Sequence, residues 1–185
     1  MKNLFAALIL TIIFAGQSSA VEVAGVKLEP TVMVNSQQLK LNGQGIRKKW
    51  FMKIYVGSLY STKRLSTGPE ALLDTGDKLI RINLLHSKLE KEKMTEIFGE
   101  GLANNAPDLI GSPDVKKFLS LFTVDFIKGD VVDLILSANG SVSVSHNGKS
   151  LGNVPSTKLA KGVLSIYLGE KPADESLKNG MLGKE

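Results

Sequence analysis

The sequence predicts an α+β fold, with a mostly antiparallel sheet and helices gathered on one face. Three observations carry this. Asn139-Gly140 and Asn147-Gly148 lie between alternating runs, and Asn-Gly is the strongest short hairpin signal because both residues accept positive φ. Helix-start signals stand at Ser87, at Ser112-Pro113 and at Ser156. The order is strands, then helices, then a strand meander, then helices, which favours hairpin pairing over parallel crossovers.

Met1–Ala20 reads as a secretory signal: Lys2 begins it, Leu4 to Ala15 is its apolar core, and Ser18 and Ala20 are the small residues before a cleavage point. The apolar run of about 12 residues is short of the roughly 20 that a spanning helix needs. The expected product is residues 21–185, a single periplasmic domain with no membrane span. Val21 to Leu41 alternates loosely around Gly25, Pro30 and Asn35-Ser36, as two or three short strands. Gly43-Gln44-Gly45 reads as a flexible lead-in to a strand that runs to Tyr60. Ser61 to Asp77 is a loop with a helical turn near Pro69 to Leu73, and Lys78 to Leu85 is a strand.

Ser87 with Glu90 three residues on forms a capping box, and Met94, Ile97, Phe98 and Leu102 follow at helical spacing. Val115, Phe118, Leu119 and Phe122 give the second helix its buried stripe. Val124 to Pro155 is a β-meander with turns at Lys128-Gly129-Asp130 and at the Asn-Gly pairs. Thr157 to Leu168 is a third helix ended by Gly169, and Asp174 to Leu182 a short last one.

Composition excludes several function classes. There is no cysteine, so thiol chemistry and cysteine metal sites are absent. His86 and His146 are the only histidines, and no HExxH occurs, so no metal site is expected. No GxSxG, P-loop or GxGxxG is present, and no cofactor is expected. The net charge of +5 is mild and has little aromatic interleaving, which argues against nucleic-acid binding.

The candidate site lies in the stretch GQGIRKKWFMKIYVGSLY, Gly43 to Tyr60. Arg47 and Tyr55 are an even number of residues apart, so in an unbroken strand they share a face. An arginine fork beside a phenol is a receptor for a carboxylate. The plain alternative makes Arg47-Lys48-Lys49 a solvated edge. His86 is expected at a strand–helix junction with a local hydrogen bond, and His146, before an Asn-Gly turn, is expected to be exposed.

GIRKKWFMKIYVGSLY, FIKGDVVDLILSANGSVSVSHNGKSLGNV and LSIYLGEKPADESLKNGMLG together resemble the exported bacterial branch of the chalcone isomerase-like proteins, over about Gly25 to Gly183. The resemblance implies an open-faced β-sandwich, a large antiparallel sheet with helices packed on one face and a ligand cleft between them. It also implies one of two functions. Plant chalcone isomerases close a flavanone ring; their non-catalytic relatives bind fatty acids through an arginine and a tyrosine. Those two residues match Arg47 and Tyr55. The isomerases' threonine falls near Ile54, and their tyrosine, lysine and asparagine fall at Glu90, Lys93 and Ile97. Only Lys93 is retained.

Ring closure needs a network of hydroxyl donors, which Ile54, Glu90 and Ile97 cannot supply. The expectation is therefore a non-catalytic protein that binds a fatty acid or similar apolar carboxylate through Arg47 and Tyr55. Phe98 and Leu102 are candidate lining, as are Phe118, Phe122 and Tyr167, although each taken singly reads as ordinary core. The alternatives are an isomerase (intramolecular lyase) that uses Arg47 and Lys93, or an envelope protein with a vestigial cleft in which Arg47 pairs with Asp125 or Asp133.

Overall fold

The computed structural model describes residues 20–184. The stretch read as a secretory signal, residues 1–19, lies outside the described residues. The strands are β1 (Val21–Val23), β2 (Val26–Leu28), β3 (Thr31–Val34), β4 (Gln37–Lys49), β5 (Met52–Ser61), β6 (Lys78–Leu84), β7 (Lys88–Leu89), β8 (Phe126–Ile127), β9 (Val131–Leu136), β10 (Ser141–His146) and β11 (Lys149–Pro155). The helices are α1 (Gly68–Leu73), α2 (Lys91–Asn105), α3 (Pro113–Leu119), α4 (Thr157–Leu168) and α5 (Glu175–Met181). The main sheet has seven strands in the order β11-β10-β9-β6-β5-β4-β3, and each neighbouring pair is antiparallel.

Most expected elements form for the expected reasons. Ser112 and Ser156 accept the N–H groups of Val115 and Leu159, and Asp174 caps α5 by accepting from Leu177. Asn147 and Gly148 take positive φ in the β10–β11 turn. α4 is buried on nearly every side, because it lies between the sheet and α2. The sheet curls. Asn35, in the β3–β4 turn, donates to Asp77 and to Ser137 beyond the end of β9. Val34, Leu39, Tyr60 and Leu79 form a small apolar cluster separate from the large helix-covered core.

Four expectations are corrected. The stretch from Gly43 to Tyr60 is not one strand but a hairpin, turning at Trp50-Phe51 between β4 and β5. Gly43 and Gly45 are not a flexible lead-in. They lie inside β4 because α5 rests directly on its backbone, and a Cβ at Gly43 would stand 2.2 Å from the Gly180 carbonyl oxygen. Ser87 does not cap α2. Lys88–Leu89 pairs instead with Phe126–Ile127, and the helix starts at Lys91, whose N–H is taken by the Asp125 carboxylate at 3.1 Å. β8 thus leaves the meander, which has three strands. His146 is not exposed. It is largely buried, with Nε2 2.8 Å from Asp130 and its ring against Phe126. Asn147 bridges to the same carboxylate, which is why the turn folds the imidazole inward.

Candidate functional site

The β4–β5 ladder sets Arg47 directly opposite Tyr55. An unbroken strand would have kept them roughly 27 Å apart at about 3.4 Å per residue; the hairpin makes them neighbours on the helix-covered face. The register then passes from Arg47–Tyr55 to Lys48–Lys53, leaving Ile54 as an extra residue on β5. Such a bulge kinks its strand and re-aims side chains. Here Ile54 joins Tyr55 in the same core rather than alternating away from it. The freed Ile54 carbonyl accepts from the N–H groups of Leu85 and His86, at 2.9 and 3.1 Å.

A groove of about 780 Å³ opens beside this pair, within the roughly 300–1,000 Å³ typical of small-molecule sites. Met52, Ile54, Leu89, Ile97 and Ala173 give it apolar walls from β5, β7, α2 and the approach to α5. Arg47 stands at one side, His86 lines it from the junction after β6, and Lys48, Lys49, Lys88 and Lys93 outnumber Glu90 and Glu100 around it. Its surroundings are therefore cationic.

Arg47 is half-buried, and its guanidinium carbon lies 5.9 Å from the Tyr55 ring centroid. Burial acts to lower its pKa, but the Tyr55 hydroxyl, Tyr167 and Asp174 outweigh this and leave it above the ordinary value. The cation is thus permanent. Tyr55 is buried, and loss of water raises its pKa against the opposing pull of Arg47, so the phenol stays neutral. Tyr167, on α4, is also buried and is raised well above the ordinary value, first by burial and then by the neighbouring Tyr55. Both phenols are therefore hydrogen-bonding groups rather than charges.

One nitrogen of the anchor is left over. Arg47 Nη1 is buried and has no hydrogen-bond partner among the described residues. Neither carboxylate considered for Arg47 reaches it: Asp133 is gripped by Arg81 at 2.7 and 2.8 Å, and Asp125 by Lys88 at 2.9 Å. Asp174 stands nearby, but its carboxylate accepts from the Lys48 and Leu177 N–H groups. A buried donor without an acceptor costs about 1–3 kcal/mol or more when charged.

The structure brings Arg47 and Tyr55 together and sets Arg47 and Lys93 on one groove. Lys93 is paired with Glu96 at 2.6 Å. Phe98 and Leu102 lie deeper. Phe98 stacks on Phe122 and meets Phe118 edge-on, and Leu102 packs on α4 at Gly162; protein side chains cover both. Sequence reasoning missed the Tyr167–Tyr55 contact and the bulge at Ile54, since neither has a local signal. It also missed Trp50 at the groove's edge.

The model of the family described as chalcone isomerase-like matches residues 20–183. Fatty-acid-binding protein 1 of Arabidopsis thaliana is 27% identical over 108 residues, 56% of this chain and 39% of that protein. The chain thus spans about two-fifths of the length of this relative. The crystal structure of an Arabidopsis thaliana fatty-acid binding protein superimposes with a TM-score of 0.66 at 20% identity, covering 90% of this chain and 97% of the other. At that identity the likeness shows the fold.

Proposed function

As the chain belongs to the chalcone isomerase-like family, we propose that it is a non-catalytic binding protein for a fatty acid or similar apolar carboxylate. The carboxylate takes the buried Nη1 of Arg47, with Tyr55 and Tyr167 behind it, and the acyl chain lies along Ile54, Leu89 and Ile97. The orphaned Arg47 donor carries this reading: it is a buried positive hydrogen-bonding group beside an apolar groove, and an oxyanion is the partner it lacks. The fatty-acid binding named for the Arabidopsis relative supports the same class of ligand.

Binding is favoured over isomerisation by the groove's chemistry. No serine, threonine or tyrosine is among its lining residues, and Lys93 is occupied by Glu96. The proposal extends to export, with cleavage after Ala20 and a periplasmic site of action, on the strength of the apolar Leu4–Ala15 stretch. Cell fractionation with an intact-mass measurement tests that part; a chain retaining Met1–Ala20 in the cytoplasm refutes it.

The ligand test is mass spectrometry of lipid extracted from purified protein, alongside Arg47→Gln. A charge-assisted hydrogen bond contributes about 1.5–3 kcal/mol, so affinity for a fluorescent fatty acid should fall about ten- to a hundredfold. Equal affinity in the two proteins would remove Arg47 as the anchor.

A further inference from the structure

The β4–β5 turn does something the binding groove does not require. Trp50 and Phe51 form its two-residue loop and are 86% and 102% exposed, with Met52 next to them at 48%. Trp50 takes a positive φ of 57°, at the first loop position, where glycine is standard and a bulky side chain is strained. Single exposed apolar residues are ordinary, but three in succession at a protruding tip are not. Lys48, Lys49 and Lys53 surround them, all exposed.

We propose that this tip is a membrane finger that docks on the surface of an anionic lipid bilayer, Trp50, Phe51 and Met52 entering the interface and the lysines meeting lipid headgroups. Three features select a bilayer over a protein. Tryptophan favours the boundary between headgroups and acyl chains. Clustered lysines are attracted to anionic leaflets, each adding to the affinity. Three side chains at a hairpin tip are far too small a patch for a stable protein interface, which needs about 800 Å² from each partner. Trp50 also lines the groove, so a docked tip sets the groove's opening against the lipid surface. Passage of an acyl chain between bilayer and groove rests on the function proposed above; the docking itself does not.

Trp50 is the sole tryptophan, so its fluorescence reports on the tip alone. The chain from Val21 is the form to use, because every strand, helix and core residue described lies beyond that point and the apolar Leu4–Ala15 stretch would itself bind lipid. With vesicles of phosphatidylcholine and phosphatidylglycerol, Trp50 emission should shift to the blue and be quenched by brominated acyl chains. Phosphatidylcholine alone should give little of either. Phe51 and Lys53 are not among the groove's lining residues; Phe51→Ser and Lys53→Gln should each weaken vesicle binding about fivefold or more and leave fatty-acid affinity in solution unchanged. The proposal is overturned by an unshifted emission on anionic vesicles, by equal binding to neutral ones, by full binding in Phe51→Ser, or by a blue shift that grows with protein concentration without lipid, which would make a second copy the occupant.

Discussion

Asn42 is the residue whose loss should cost this fold most for its size. It is the extra residue of a second irregularity in β4, between Leu41 and Gly43, and it is buried. Its amide donates to the carbonyls of Leu65 and Met181 at 2.9 and 2.8 Å, and its oxygen accepts from the Leu65 N–H at 2.8 Å. One side chain thus ties β4 to the loop before α1 and to the end of α5. Asn42→Ala leaves an N–H and two carbonyls buried and unsatisfied. At about 1–3 kcal/mol for a buried orphan, less for a carbonyl than for an N–H, the expected loss is about 3–5 kcal/mol. Domains are stable by about 5–15 kcal/mol in all, so this is a large fraction. Urea denaturation followed by circular dichroism measures it as a lower midpoint at unchanged slope. A loss under about 1 kcal/mol would show that the loop or α5 relaxes to satisfy those groups, and the account of Asn42 as a three-way tie would be wrong.

Asp74 makes a second test. Lys78, 3% exposed, places its ammonium on the Asp74 carboxylate at 2.7 Å, and Lys63 reaches the other oxygen at 2.9 Å. Burial pushes the Asp74 pKa up, but those lysines outweigh it and hold it below the ordinary carboxylate value. Its stabilisation is therefore complete above the unfolded value of about 3.9 and is lost as pH falls through that value towards the lower folded one; Asp74→Asn should flatten the stability–pH curve between about pH 5 and pH 3, and an unchanged slope would refute the assignment. Tyr167→Phe removes a buried hydroxyl behind Tyr55; in the proposed binding mode fatty-acid affinity should weaken about fivefold, the worth of about one hydrogen bond, and equal affinity would remove Tyr167 from the anchor. Gly43→Ala sets a methyl group against the Gly180 carbonyl; a loss of about 2–3 kcal/mol is expected, and a melting temperature equal to wild type would mean that α5 moves away freely.

The architecture was legible because its signals are local. Asn147-Gly148 and the caps at Ser112 and Ser156 act within a few residues of themselves, and each forms as expected. The hairpin at Trp50-Phe51 was not legible, since nothing in a run of aromatic and β-branched residues announces a turn, and the turn formed places tryptophan where turn statistics expect glycine. Arg47 and Tyr55 do share a face, but by cross-strand pairing rather than along one strand. The start of α2 was misread because its cap comes from Asp125, distant in sequence, while the Ser87–Glu90 spacing matched a local motif by chance. Depth within a helix was illegible too: Phe98 and Ile97 are adjacent, yet Ile97 lines the groove and Phe98 is sealed beneath it.

The groove is clamped unequally. On one flank, backbone seated on backbone at Gly43 and Gly180, with Asn42 latched to Met181, makes β4 and α5 a single rigid body. On the other, the head of α2 is held by Met94 in the core, by a two-pair ladder and by Asp125, whose contacts with Lys88 and Lys91 face water. Water-facing charges are screened by salt, whereas steric seating is not. Raising ionic strength should therefore loosen the α2 flank before it touches the β4–α5 seat.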